Sequence, residues 1–351
     1  MLIEQTEIHE PTEHELMRSS RDPVQDLLEC GLMQPANAFL GHGGKRFRAA
    51  LIELSYAIGG GRDAVQTPLI SAIEMLHAGS LIIDDIEDGS EWRRGVPTLH
   101  RQVGLPLALN TGNWMYFRAL ELLGDLSVDE ASGNRILGIA IATIRECHEG
   151  QALDLAARIH DIDQRDVFAV AEGIGKRKTG SLTSLAARLG AMTAGASHDY
   201  EQALATFGCE LGICLQMRND LDELRLVAND GLRHDDMKNA RVTWPWAWYA
   251  ESCGSETFKE LQLRAYGATN DADVARNVAT AIDRKIGTYG DQEIESRLQL
   301  AYSELSEIVG ISKPLRDLQL LLQAVNNSAR ASVASSRFQE PFNQIADRAA
   351  S

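Results

Sequence analysis

Residues 68–88, PLISAIEMLHAGSLIIDDIED, are apolar at three- and four-residue spacings and then place four acids in the last five positions. A helix that is apolar on most faces belongs at the centre of a bundle, where neighbours cover it on every side. The segment therefore predicts an all-α bundle with carboxylates carried to the edge of its interior. Charges ending such a helix are costly unless something answers them. Asp84 and Asp88 are four apart, about 40° around a helix axis and one turn along it, so both can reach one ion. Hard divalent cations such as Mg²⁺ take oxygen ligands and keep phosphate and water in their shell. The acids thus suit a Mg²⁺–phosphate anchor beside an organic pocket, although the residues alone equally allow an acidic helix end facing solvent.

Further helical windows are expected over Phe47 to Ile58, Leu105 to Leu123, Ser132 to Glu149, Asp166 to Gly175, Gly180 to Ala194 and Tyr200 to Leu226, with weaker ones from about Thr257 onward. No segment reads as a strand. The apolar window 203–217 leads into Asn219-Asp-Leu-Asp-Glu223, a second acid-bearing helix end, and the two clusters suggest two walls of one cavity. Residues 1–20 and those after about 326 read as loose polar tails around a domain of residues 21–325. A formal net charge of −16 argues against non-specific attraction to nucleic acid or anionic lipid, so an anionic ligand needs a local basic site. Five scattered cysteines without a CxxC pair fit a reducing cytoplasm better than a disulfide or zinc framework. The acidic N-terminus lacks a leader pattern, and no run reaches the ~18 apolar residues of a membrane span.

Three basic groups answer the acids. Arg93-Arg94 follows the first cluster, and Arg forks match phosphate oxygens. Gly43-Gly-Lys45-Arg-Phe-Arg48 opens a helix, where N–H groups and side chains could hold an anion, though a solvated helix start explains it as well. Lys176-Arg-Lys178-Thr179-Gly precedes another helix.

Together the segments GGKRFR, DDIED, WRRGVPTLH and KTGSL resemble, in order and spacing, the polyprenyl synthetase family of trans-isoprenyl diphosphate synthases, over roughly residues 40 to 250. The run around DDIEDGSEWRRG and the later NWMYF are closest in flavour to geranylgeranyl diphosphate synthases. The resemblance implies an isoprenoid synthase bundle around a deep central cavity, usually a homodimer. It implies condensation of an allylic diphosphate (dimethylallyl, geranyl or farnesyl) with isopentenyl diphosphate, with about three magnesium ions. On this reading Lys45, Arg48, His77 and Arg94 hold the isopentenyl diphosphate head. Arg93, Lys178, Thr179 and Gln216 hold the allylic one, and Gln151 and Asp154 line the same cavity. Asp84 and Asp88 bind the first metal, with Asp85, Arg93 and Lys178 sharing in catalysis. Asn219, Asp220 and Glu223 form the second metal wall.

Two departures stand out against the family pattern. The second DDxxD begins with Asn219 and ends with Glu223, and the later D-L-x-x-G-K-x-T-x-P segment has Ala240 for Gly and Arg241 for Lys, in the substrate-binding group. An Asn-Asp opening also resembles the metal triad of class I terpene synthases, but Glu223 and Val227 stand where that triad wants a hydroxyl and an acid. A cyclase therefore remains the alternative to a condensing enzyme. A weakly active regulatory subunit is the third reading. In the family that the chain resembles, bulky residues five and four before the first motif close the pocket floor, so the small Gly79 and Ser80 imply an open floor and a product of C20 or longer. Close helix packing is the plainer explanation, with Trp114, Met115 or Phe117 as the plug instead.

Overall fold

The computed structural model describes residues 22–41, 47–93, 95–230, 235–269 and 271–332. The N-terminal half contributes α1 (Pro23–Leu28), α2 (Gln34–Gly41), α3 (Phe47–Ile58), α4 (Thr67–Glu87), α5 (Leu99–Val103), α6 (Leu105–Gly124) and α7 (Glu130–Ala156). Next come α8 (Val167–Gly175), a π-helical turn (Lys176–Gly180), α9 (Ser181–Thr193), α10 (His198–Asp230) and α11 (Asp235–Lys238). The chain continues through α12 (Trp244–Ser252), α13 (Ser255–Ala268), α14 (Ala272–Ile286), α15 (Tyr289–Val309) and α16 (Lys313–Ser332). The all-α expectation holds.

Local signals explain the boundaries. Helix α4 starts with Pro68 in its first turn, where a missing N–H costs nothing, and stops at Gly89, whose φ of +65° a side chain would strain. The Asp129 side chain caps α7 by accepting from the Ser132 N–H at 3.0 Å. Elsewhere the structure departs from the pattern. Residues 219–223 lie inside the 33-residue α10, short of its end, so the second wall is a helix flank rather than a helix terminus. Helix α16 runs to Ser332, past the expected tail boundary, whereas the N-terminal tail expected over 1–20 lies outside the described residues. A two-residue antiparallel ladder pairs Trp92–Arg93 (β1) with Val96–Pro97 (β2). Helix α12 escaped notice because Trp244 to Ala250 are all buried, which leaves no polar face to set a 3.6-residue rhythm.

One apolar core runs from Phe47 to Leu322, and a smaller one joins Ala36, Ala78, Ile82, Leu99, Ala108 and Met115 beneath α2 and α5. Fully buried residues such as Leu51, Ile73 and Leu204 each stabilise the fold by roughly 2 kcal/mol. Helices α4 and α6 cross closely: a Cβ on Gly79 would lie 2.9 Å from the Gly112 carbonyl. That contact fixes the axis along which the first acids are presented.

Candidate active site

A cavity of about 360 Å³ opens between α4, α7, α10 and the turn after α8. Asp84 lines it from the last turn of α4 and Asp88 from the C-cap just after it, and Asn219, Asp220 and Glu223 line it from α10, so the two acidic clusters face one space. Arg48, His77, Arg93, Lys178, Thr179 and Gln216 line it as well. Lys45 and Arg94 lie outside the described residues.

Each cation reaches the cavity by a local device. The β1–β2 hairpin turns through Gly95 at φ +84° and sends Arg93 back onto α4, where its guanidinium meets both Asp85 oxygens at 2.7–2.8 Å and Asp84 at 3.6 Å. Lys178 sits on the π turn, an insertion common at functional sites, and its ammonium lies 2.8 Å from Asp84 and 2.7 Å from Asp154. Gly150 permits this approach, since a Cβ there would stand 2.5 Å from the Lys178 backbone nitrogen. Burial alone would push the Asp84 carboxyl up, but Lys178 and then Arg93 hold it below the ordinary carboxylate range. Burial likewise opposes the charge on Lys178, and Asp84 and Asp154 overcome it, keeping the ammonium protonated.

Asp85 belongs with the buried face of α4 at 1 % exposure and does not line the cavity. It pairs with the Arg93 guanidinium, because the helix turns it about 100° away from Asp84. Arg241 is also absent from the lining. Its guanidinium reaches Asp88 and donates to the Asp154 backbone carbonyl at 2.6 Å, tying α4 to α7.

The α10 wall is held differently. Thr179 Oγ1 donates to Gln216 at 2.6 Å, Gln216 donates to Asp220 at 2.7 Å, and the Trp244 N–H donates to the other Asp220 oxygen at 3.0 Å. Glu223 accepts from the Asp236 N–H at 3.0 Å. Burial raises Asp220, Glu223 and Asp236 above the carboxylate range; like charges add to it, Glu223 and Asp220 acting on Asp236 and Asp220 and Asp235 on Glu223. Asn219 is exposed.

These donors fit magnesium. The groups are hard oxygens, and the α10 acids raise one another's cost of ionisation, which a divalent cation would relieve. Among the described residues no three His, Cys, Asp or Glu side chains already close around one point. An ion shared with phosphate and water needs only one or two ligands from each wall.

Several lining groups were not singled out in the sequence. Asp235 reaches the rim and accepts from Ser90 Oγ at 2.9 Å, whereas Gln151, which the resemblance placed on this cavity, lines it and donates to Asp84 and Glu87 at 3.1 and 2.8 Å. The rings of half-buried Tyr116 and exposed His148 lie 5.3 Å apart on the same lining as Ile83 and Ile144. Ser80 lines the cavity, its hydroxyl donating to the His77 carbonyl at 2.8 Å, but Gly79 does not, because it is pressed against α6. The small residue at 79 is thus explained by helix packing rather than by an open floor. Met115 is buried in the smaller core and Phe117 is 69 % exposed, so neither plugs the cavity, and nor does Trp114; their neighbour Tyr116 reaches it.

Comparison with known proteins agrees. Residues 29–282 match the polyprenyl synthetase family profile. The geranylgeranyl pyrophosphate synthase of Eremothecium gossypii is 33% identical over 224 residues, 61% of this chain and 68% of that protein. The geranylfarnesyl diphosphate synthase of Aeropyrum pernix is 27% identical over 290 residues, 80% and 88% of the two chains. In fold, the geranylgeranyl pyrophosphate synthetase of Geoglobus acetivorans superposes with a TM-score of 0.71 at 23% identity, covering 86% of this chain and 96% of the other. A polyprenyl synthase from Caulobacter crescentus CB15, complexed with calcium and isoprenyl diphosphate, gives 0.70 at 24% identity, covering 90% and 95%. With the profile matched over most of its length and both acidic motifs facing one cavity with Arg93 and Lys178, this chain belongs to the polyprenyl synthetase family.

Proposed function

We propose that this trans-prenyltransferase condenses an allylic diphosphate with isopentenyl diphosphate to make geranylgeranyl diphosphate. The observation that carries the reading is the facing of Asp84 and Asp88 against Asp220 and Glu223 across one cavity that Arg93 and Lys178 also line, together with apolar Leu76, Ile83, Ile144 and Leu182. Magnesium bound between these acids would draw charge from the departing diphosphate. Arg93, Lys178 and the Thr179–Gln216 pair hold the allylic head, with cations aimed where charge develops as its C–O bond breaks. Ile83, Ile144 and Leu182 offer the resulting allylic cation no nucleophile. Arg48 and His77, with Lys45 and Arg94, hold isopentenyl diphosphate so that its double bond supplies the electrons of the new C–C bond. The proton then lost goes to the departed diphosphate, which is why no Ser, Cys or His nucleophile is required.

Tyr116, half-buried on the cavity lining, sets the depth to which the growing tail extends. The relatives named above as geranylgeranyl synthases support the C20 product. We read residues 21–325 as one domain on the continuity of the core. The exposed Leu105, Leu109 and Phe117 of α6 and Ile141 of α7 supply an apolar face for a homodimer. All five cysteines are free thiols, in keeping with a cytoplasmic setting, and no described helix is long and apolar enough to cross a membrane.

Incubation with Mg²⁺, farnesyl diphosphate and isopentenyl diphosphate, followed by extraction, tests the reading. Geranylgeranyl diphosphate is the expected product. A hydrocarbon released without isopentenyl diphosphate would indicate a cyclase, and no turnover would indicate a regulatory subunit.

A further inference from the structure

Ala240 and Arg241, the two residues that replace the family's Gly-Lys, are structurally coupled. Ala240 has φ +50°, the one non-glycine residue with positive φ among those described. A Cβ makes that conformation unfavourable by about 1–2 kcal/mol, so the surroundings must hold it. They do: the Ala240 N–H donates to the Met237 carbonyl at 3.1 Å, its carbonyl accepts from the Ile159 N–H at 2.8 Å, and the Arg241 N–H donates to the Asp236 carbonyl at 2.9 Å. Ala240 is itself buried, at 4 % exposure. The turn therefore has one setting, and it aims Arg241 between α4 and α7.

There the guanidinium uses two separate prongs. Nη2 engages Asp88 and Nη1 donates to the Asp154 carbonyl. A lysine ammonium is a point charge without this planar fork, so spanning both partners depends on the arginine. Asp88 is also one of the two first-wall carboxylates that face the cavity, so Arg241 and a metal ion compete for the same oxygens.

We propose that Arg241 is a positioning residue that acts as a clasp on the first metal wall. It occupies Asp88 until a metal–diphosphate arrives, and it yields Asp88 only when diphosphate oxygens offer it a replacement anion. Metal and diphosphate then bind synergistically, each weak alone, and the bare protein does not fill its first wall with ions at low metal concentration. The inference rests on the prenyltransferase reading, because it takes the diphosphate as the natural second ligand of the cavity.

Mn²⁺ binding to the full chain, followed by electron paramagnetic resonance with and without inorganic pyrophosphate, tests it without reference to turnover. Wild type should take up Mn²⁺ weakly alone and much more tightly with pyrophosphate. Arg241→Gln should bind Mn²⁺ alone at least about fivefold more tightly than wild type, with the enhancement by pyrophosphate reduced by a similar factor, since coupling of this kind typically amounts to about 5- to 150-fold. Arg241→Lys, which keeps the charge and loses the fork, should fall between the two. It carries the test if Arg241→Gln does not fold. Mn²⁺ affinity that is unchanged or weaker in the folded variant, with wild type still responding to pyrophosphate, overturns the clasp alone. A wild type that takes up no Mn²⁺ with pyrophosphate overturns both the clasp and the functional reading beneath it.

Discussion

Asp84 and Asp88 on α4 stand against Lys178, Arg93 and Arg241, whereas Asp220, Glu223 and Asp236 across the cavity are met mainly by backbone N–H groups, Gln216 and one another. The α4 wall is charge-matched as it stands, so a metal–diphosphate must exchange partners with its cations. The α10 wall holds an excess of negative charge that a cation relieves directly. Asn219 moderates this excess, since an aspartate there would add a further charge to a crowded helix flank. The family's two symmetric-looking motifs are thus electrostatically unlike in this chain, and the departures within the second motif, Asn219 and Glu223, fall on the side with surplus charge.

The largest expected effect tests the ranking of the walls. Asp84→Ala removes a carboxylate that meets Lys178 and Gln151 and faces the cavity, and kcat/KM should fall at least about a thousandfold. Asn219→Ala, at an exposed amide, should cost less than about tenfold; comparable losses would mean the walls are equivalent. Glu223→Gln should raise the Mg²⁺ concentration for half-maximal activity about tenfold with kcat less affected, and an unchanged metal requirement would remove Glu223 from the second wall. Smaller effects separate packing from pocket on the α4 side. Gly79→Ala should destabilise by about 1–3 kcal/mol, because the new methyl meets the α6 backbone, and should leave product length unchanged. Tyr116→Ala should lengthen the product, and chromatography of the extracted prenyl chains checks both.

The last prediction follows from the raised carboxylates. A carboxylate whose pKa rises in the fold lowers stability once it is ionised. Its cost is absent below the unfolded value and complete above the folded one, about 7 for Glu223 and about 6 for Asp220. The Mg²⁺-induced rise in Tm should therefore be largest above about pH 7 and should fade as pH falls through about 6. A rise independent of pH would show that these acids are not where the ion acts.

The helices and the two acid clusters were legible in the sequence because apolar periodicity and paired carboxylates at helical spacing carry their own geometry. Thr179 and Gln216 were legible only through the family resemblance, whereas Arg93 and Lys178 stood out as basic residues near the acids although nothing local says that a hairpin or a π turn will fold them inward. The burial of Asp85 away from the cavity lining was not legible because adjacency in sequence hides a rotation of about 100° on a helix. At Gly79 the sequence left an open floor and close packing as alternatives, because smallness serves both equally well, and only the contact with α6 decides for packing. Asp235 and the Tyr116–His148 pair were missed because only the tertiary fold brings α11, α6 and α7 to the cavity. The clasp of Arg241 needed coordinates altogether, as its partners lie 87 and 153 residues away.

The central claim, that both walls serve one metal–diphosphate site, is tested most directly by anomalous diffraction from crystals grown with Mn²⁺ and inorganic pyrophosphate. The account predicts ions beside Asp84 and Asp88 and beside the α10 acids, all touching one pyrophosphate, with Lys178 and Arg93 on its oxygens. Pyrophosphate bound elsewhere, or ions that leave Asp84, Asp88, Asp220 and Glu223 untouched, would contradict it.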